Sequence, residues 1–184
     1  MRFNMSQPIL SVREMQEADI NLILDYWLSA DAGFLAGMGA DIAKLPTRQD
    51  WEIMLATQLS QSYKEKQSYC IIWLVDDVPA GHSNTNKILF GEEAHMHLHL
   101  WKANKRQKGM GAALVKMTLP YFFNNLELKK LYCEPYALNP APNKTLEKVG
   151  FTFVKQHISI PGSLNFEQPA KLWELTYDNY RKLK

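Results

Sequence analysis

The hydrophobic positions of this chain follow two different patterns that alternate along the sequence. After Asp19, the apolar residues of 20–28 recur every three or four positions, as on one face of a helix. Residues 69–75 instead form a short, continuous apolar run that is typical of a buried strand. Such patterns predict four helices, after residues 19, 47, 109 and 139, and seven strands, at 9–15, 69–75, 88–90, 94–101, 131–134, 151–158 and 171–176. The order βααβββαβαββ indicates one mixed α+β domain over residues 1–184.

Residues that favour helix ends support these boundaries. Thr47 and Asn139 are predicted N-caps, and Pro140 suits the first helical position. Gly150 is placed to end the fourth helix in a left-handed conformation. Pro120 is expected to kink or end the third helix, because proline lacks the backbone N–H group.

Composition excludes several classes of function. The chain has 184 residues, of which 46% are apolar and 22% charged, so a disordered protein is excluded. Its net charge of +2 is too small to indicate a nucleic-acid or membrane partner. The apolar run at 69–75 is far shorter than the ~20 residues that span a bilayer. Cys70 and Cys133 lie in strand-like apolar stretches, so we expect them to be buried thiols in a reducing compartment. Because the N-terminal residues do not show the apolar segment of a signal peptide, we expect a cytoplasmic protein.

The segment 106–112, Arg-Gln-Lys-Gly-Met-Gly-Ala, follows a predicted strand and begins the third helix. The first N–H groups of a helix lack intrahelical partners and carry partial positive charge, which favours anions. Gly109 and Gly111 would let a phosphate approach the backbone, and Arg106 and Lys108 add charge. The segment lacks the Lys-Ser/Thr pair of a P-loop and the third glycine of a dinucleotide fingerprint. A solvated basic turn is therefore the alternative interpretation.

Two motifs together resemble the GNAT superfamily of N-acetyltransferases. Arg106, Gly109 and Gly111 match its signature Gln/Arg-x-x-Gly-x-Gly/Ala, and residues 139–151 begin with Asn and end in Glu-Lys-x-Gly-Phe, as in many members. The resemblance covers residues 9–178 and is nearest the branch of ribosomal-protein alanine and small-molecule amine acetyltransferases. It implies an α+β fold with a mixed, mostly antiparallel sheet of six or seven strands, flanked by four helices.

The resemblance implies an N-acetyltransferase that moves an acetyl group from acetyl-CoA to a primary amine by direct attack in a ternary complex, without a metal. Acetyl-CoA would lie in a V-shaped opening between the fourth and fifth strands. Asn139 has a second interpretation, as a helix cap that needs no ligand. The acceptor is expected to be a small amine or a peptide N-terminus. Homodimers are frequent in the family, but the sequence leaves the oligomeric state open. The residues expected to bind acetyl-CoA are His99, Leu100, Trp101, Arg106, Gln107, Lys108, Gly109, Met110, Gly111, Ala112 and Asn139.

His95, His97 and His99 alternate along the fourth strand and therefore share one face. They admit three hypotheses: a metal site, structural histidines, or a general base that takes the amine proton. Residues two apart in a strand stand ~6.5–7 Å from each other, which disfavours one shared ion. The family's usual glutamate base corresponds in position to His95, the first choice for the catalytic base. A β-bulge would favour His97 instead, and Glu93 is the third candidate.

One departure from the family concerns the general acid. Many members carry a tyrosine that protonates the leaving thiolate, and the corresponding residue is Leu146. Water is then the expected proton donor. A CoA-binding protein without turnover and a metal-binding protein that uses the histidine strand are the alternative functions. On the acceptor side, residues 31–46 and the second helix are expected to form the lip over the cleft, where Asp31, Asp41 or Asp50 would face the amine.

Overall fold

The structure, a computed structural model, describes residues 7–101 and 109–183. These residues form one seven-stranded mixed sheet with the strand order β1-β2-β3-β4-β5-β7-β6. Neighbouring strands are antiparallel, except β4 and β5, which are parallel. The predicted α+β fold is confirmed. The strands are β1 Leu10–Glu14, β2 Tyr69–Val75, β3 Val78–Leu89, β4 Glu93–Leu100, β5 Lys130–Cys133, β6 Thr152–Ser159 and β7 Gln168–Thr176.

The described residues form six α-helices, two more than the sequence predicts. The two additional helices, α2 and α6, have six residues each, which is too short to show a helical period. Their signal is the cap: Asp31 accepts a hydrogen bond from the Phe34 N–H, and Thr176 accepts one from the Asn179 N–H. The helices are α1 Ile20–Leu28, α2 Ala32–Gly37, α3 Arg48–Ser60, α4 Met110–Pro120, α5 Pro140–Val149 and α6 Tyr177–Lys182.

The predicted helix boundaries are confirmed. Thr47 accepts a hydrogen bond from the Asp50 N–H, and Asn139 accepts one from the Ala141 N–H. Gly150 ends α5 with a positive φ of 111°. α4 ends at Pro120, where a π-helical turn follows. Within the two described ranges, no helix has both the length and the apolar character needed to cross a membrane.

The sheet separates two hydrophobic cores. Trp73 and Met96 pack on one face, under α4 and α5, whereas Ile72 packs on the other, under α1 and α3. Cys133 belongs to the first core and Cys70 to the second, and both are buried and free. The thiols thus lie on opposite faces of the sheet, as expected for packing residues rather than for a disulfide pair.

Candidate active site

The sheet opens between β4 and β5. The two strands pair only as far as Met96 and Cys133. Beyond that pair, the chain after β5 follows β7, where the Lys171 N–H donates to the Pro135 carbonyl at 3.1 Å. β4 continues to Leu100 alongside β3 alone. This separation leaves one edge of β4 without a strand partner among the described residues, in the V-shaped opening that the family resemblance implies.

The register shows which backbone groups of β4 face the opening. The Trp101 N–H donates to the Ala80 carbonyl, and the His97 carbonyl accepts from Ser83 Oγ, so the odd-numbered residues direct their backbone groups toward β3. Because this direction alternates along a strand, the N–H and C=O groups of Leu98 and Leu100 face the opening. Of His99, Leu100 and Trp101, which are predicted to bind acetyl-CoA, Leu100 has this orientation. Leu98 was not predicted, because the distance in sequence from the glycine motif gives the position of a residue in the strand but not the direction of its backbone groups.

A cavity of about 390 Å³ lies along the opening, a size typical of small-molecule sites. Leu98 and Cys133 line it from the α4/α5 face of the sheet, and His97 and Glu134 from the α1/α3 face. Asn139 lines it at the start of α5 while also capping that helix, so its two predicted roles are compatible. The cavity therefore passes through the sheet and joins its two faces.

The predicted phosphate loop lies partly outside the described residues, which exclude Arg106, Gln107 and Lys108. Gly109 precedes α4 with φ 92°, a left-handed conformation that glycine adopts without strain. The first helical hydrogen bond runs from the Ala113 N–H to the Gly109 carbonyl. The N–H groups of residues 110–112 precede this bond and can therefore donate hydrogen bonds to an anion.

Lys148 brings a positive charge to the same helix end. A Cβ atom built on Gly109 would lie 3.0 Å from Lys148 Nζ. A Cβ on Gly111 would meet only Thr145, at 3.6 Å or more. From the sequence, Lys148 is only a member of the second motif, because nothing in the local sequence shows that α5 packs beside the start of α4.

His97 lines the cavity, whereas His95 does not. The His95 ring instead packs against Tyr132, with 5.3 Å between ring centroids. The Nε2 atom of His97 is buried and has no hydrogen-bond partner among the described residues. Burial, followed by the charges of His95 and Lys87, lowers the pKa of His97 to about 4. His97 is therefore a neutral imidazole at physiological pH in the wall of the cavity.

His99 also lines the cavity, but aromatic neighbours hold its ring. It stacks on His82 at 4.8 Å and meets Trp27 edge-on at 4.9 Å. Burial lowers its pKa well below the ordinary value and that of His82 to about 3. His82 Nδ1 accepts a hydrogen bond from Trp101 Nε1 at 2.8 Å. No group of three or more His, Cys, Asp or Glu side chains in the described part of the chain is arranged to hold a metal ion.

The polar face of β3 also lines the cavity and was not predicted from the sequence. The register partners of the three β4 histidines are His82, Asn84 and Asn86, all of which line the cavity. Only residues 88–90 were predicted as this strand, because the preceding segment is polar at consecutive positions. The alternation of His82, Asn84 and Asn86 could have indicated a longer strand, since these residues face the β4 histidines across the strand pair.

The expectation for the acceptor carboxylates is wrong. The Asp31 carboxylate caps α2, Asp41 accepts from the Ala43 N–H, and Asp50 accepts from the Thr47 hydroxyl. None of the three lines the cavity. Helix and turn termini compete for short acidic side chains, which sequence position alone does not reveal. The carboxylate that lines the cavity, among the described residues, is Glu134.

A clasp of hydrogen bonds joins the segment after α2 to the loop between β6 and β7, and its residues include part of the cavity wall. The Gly39 carbonyl accepts from Asn165 Nδ2 at 2.9 Å and from Gln168 Nε2 at 3.0 Å. The Asp41 N–H donates to the Leu164 carbonyl at 2.8 Å. These contacts hold Leu164, Asn165 and Gln168 in the cavity wall on the α1/α3 face of the sheet.

Substituting Gly39 by alanine is expected to destabilise the clasp. Gly39 has φ 81°, and a Cβ there would lie 1.9 Å from Gln168 Oε1. Gly91 is the matched control, since it has φ 78° and no atom within 4 Å of the added Cβ. We expect Gly91→Ala to lower the free energy of unfolding by about 1 kcal/mol and Gly39→Ala by about 2 kcal/mol. Urea denaturation measures both, and equal losses would contradict the clasp.

The sequence of residues 10–152 matches the profile of the acetyltransferase (GNAT) domain. This match covers more than half of the chain and includes β4, the opening and α5. The chain belongs to the GNAT acetyltransferase family. The resemblance in its two motifs is thereby confirmed for this GNAT domain. No curated protein sequence shows significant similarity to it.

Solved structures share the fold of this GNAT protein at low sequence identity. Aminoglycoside acetyltransferase AAC(6′)-Ib in complex with coenzyme A has 17% identity and a TM-score of 0.72, covering 95% of this chain and 98% of that one. Spermidine N-acetyltransferase from Vibrio cholerae, in complex with CoA and spermine, has 15% identity and a TM-score of 0.75, covering 94% and 98%. A dodecameric form of that Vibrio cholerae enzyme has 14% identity and a TM-score of 0.71, covering 93% and 95%.

Proposed function

We propose that this protein transfers an acetyl group from acetyl-CoA to the primary amine of a small molecule, within a ternary complex. The cavity that passes through the sheet between β4 and β5 is the observation that carries the proposal. A donor that enters from the α4/α5 face and an acceptor held on the His97 face would meet inside this opening. Holding the two reactants in orientation is then the main catalytic contribution.

The α4 helix start suits the pyrophosphate of the donor. The N–H groups of Met110, Gly111 and Ala112 precede the first helical hydrogen bond, and the helix dipole adds partial positive charge there. Lys148 supplies a full positive charge beside Gly109. The predicted contacts of residues 106–108 would extend the same site.

The free edge of β4 suits the pantetheine arm. This arm carries amide groups, which can pair with exposed strand backbone as an additional strand does. The N–H and C=O groups of Leu100 and the C=O group of Leu98 face the opening and are the pairing groups in this proposal. Asn139 lines the cavity at the opposite rim, on the donor side of the sheet.

Acetyl-CoA, when bound, supplies the thioester: the amine nitrogen bonds to its carbonyl carbon, the carbon–sulfur bond breaks, and an amine proton ends on the thiol. The N–H group of the amine becomes far more acidic once its nitrogen has bonded to carbon. His97 Nε2 accepts the proton that this nitrogen loses. The Leu98 N–H group, which faces the opening, polarises the carbonyl. Leu146 is fully buried, so water protonates the thiolate in this proposal.

The proposal is tested by titrating the purified protein with acetyl-CoA in a calorimeter, followed by assays of thiol release with a panel of amines. We expect a dissociation constant in the micromolar range, which corresponds to about 8 kcal/mol of binding free energy. We also expect thiol release that depends on the amine. Tight binding without thiol release would support the non-catalytic alternative, and no binding by the folded protein would overturn the proposal.

A further inference from the structure

The cavity is lined by side chains that carry almost no charge. Glu134 is the single carboxylate among the described residues that line it, and neither lysine nor arginine is present among them. Side-chain amides are the most numerous polar groups of the lining, and they can hydrogen-bond to an uncharged ligand. The amide residues are Gln58, Gln67, Asn84, Asn86, Asn139, Asn165 and Gln168.

The imidazoles of the cavity are also neutral near physiological pH. Burial lowers the pKa of His82 to about 3 and that of His97 to about 4, and it lowers the pKa of His99 well below the ordinary value. None of these rings therefore offsets or adds to the charge of a bound ligand. Glu134 is left as the charged group that an incoming cation meets.

Glu134 is placed at the rim of the opening. It follows Cys133, whose parallel partner is Met96, so Glu134 and His97 occupy the first positions beyond the last strand pair. Both belong to the α1/α3 face, because His95 and Tyr132 meet ring to ring one residue pair earlier along that face. An amine held by Glu134 would thus lie across the opening from His97.

Neighbouring residues fix the orientation of the Glu134 carboxylate. Its Oε1 atom accepts from Ser159 Oγ at 2.5 Å and lies 2.6 Å from His157 Nε2. Ala170 lies between β5 and β6 on the intervening strand β7, as the register partner of His157, and its small side chain leaves room for these contacts. No described residue donates to Oε2. The side chain is only 7% exposed, so the carboxylate is preorganised and mostly shielded from water.

We propose that the acceptor is a small primary amine that enters with a single positive charge and an otherwise uncharged body, and that Glu134 binds its ammonium group. The ammonium gives one proton to water before its neutral nitrogen attacks the thioester, and the nitrogen loses a second proton once it has bonded to carbon. This inference rests on the proposed acetyl transfer. A second positive charge in the cavity would lose its hydration without gaining a carboxylate partner, which is costly in a buried site. The amide side chains suit the uncharged body of the acceptor.

Norleucine amide and lysine amide are the matched probes, because they have side chains of similar length and differ by one ammonium group. We expect kcat/KM for norleucine amide, measured by thiol release, to exceed that for lysine amide at least about tenfold, and spermidine to be a still poorer acceptor. Equal or better use of lysine amide or spermidine would overturn the inference while leaving acetyl transfer intact.

Glu134→Gln tests the assigned residue. We expect kcat/KM for norleucine amide to fall roughly thirtyfold, mainly through KM, with an unchanged dissociation constant for acetyl-CoA. Glu167→Gln is the control, since it removes the same charge from an exposed position in the loop between β6 and β7. Effects of equal size in the two variants would overturn the role of Glu134.

Different experimental results would overturn this inference and the proposed function. Protein that binds acetyl-CoA and acetylates spermidine but not norleucine amide would overturn the single-charge inference alone. Protein that releases no thiol with any of the three amines, or that does not bind acetyl-CoA, would overturn both.

Discussion

Gly111→Trp is expected to weaken acetyl-CoA binding at least roughly 100-fold, which corresponds to about 2.7 kcal/mol. The indole would occupy the space over the first turn of α4, where the N–H groups of residues 110–112 are available to a phosphate. The fold should tolerate the Cβ atom of the introduced tryptophan, because a Cβ on Gly111 meets only Thr145, at ordinary contact distances. Calorimetric titration of the variant with acetyl-CoA measures the loss.

Gly37→Trp is the matched control for this variant. Gly37 lies at the exposed end of α2, and a Cβ there has no atom within 4 Å. We expect it to bind acetyl-CoA as the wild type does. If Gly111→Trp is folded, as judged by its thermal unfolding, and still binds with wild-type affinity, the α4 helix start is not the phosphate site.

His97→Gln is expected to lower kcat at least roughly 100-fold, the size of effect typical of a lost general base. Glutamine keeps hydrogen-bonding groups in the cavity but cannot take up the proton. The dissociation constant for acetyl-CoA should be unchanged, because the His97 backbone groups face β3 rather than the opening. The measurement is steady-state thiol release at a saturating concentration of norleucine amide.

His95→Gln discriminates between the two predicted bases. His95 packs on Tyr132 and does not line the cavity, so we expect its kcat to stay within about threefold of the wild type. A large loss in His95→Gln with little loss in His97→Gln would reverse the assignment in favour of the first choice from sequence.

The pH dependence offers a second test of His97. Its pKa is lowered to about 4, and the protonated ring cannot act as a base, so the active neutral form persists down to about pH 5. The ratio of wild-type to His97→Gln kcat should therefore be constant between pH 8 and pH 6, since proton equilibria of the amine cancel in the ratio. A ratio that falls twofold by pH 6.5 would show an imidazole with its ordinary pKa.

The local sequence determined the elements that have their own signals. Four helices follow from hydrophobic period and the buried strand β2 from a continuous apolar run. Thr47, Asn139 and Gly150 mark helix ends because a cap is satisfied within a few residues. The helices α2 and α6 and the greater part of β3 were not predicted. α2 is too short to show a period, and the polar part of β3 is stabilised by its neighbours β2 and β4 rather than by its own pattern.

The two sequence motifs together indicated the family, which the domain match confirms, and they predict a donor site at the start of α4 and α5. The arrangement of the cavity depends on contacts between distant segments. Only the register of β4 against β3 decides that Leu98 faces the opening, and only the packing of α5 beside α4 brings Lys148 to Gly109. Glu134 meets His157 and Ser159 across β7, and aspartates near in sequence to the cleft serve as caps instead. The sequence by itself thus determined the local structure and the family, whereas the tertiary structure decided which side chains meet in the cavity, because residues far apart in the chain become neighbours only through strand pairing and helix packing.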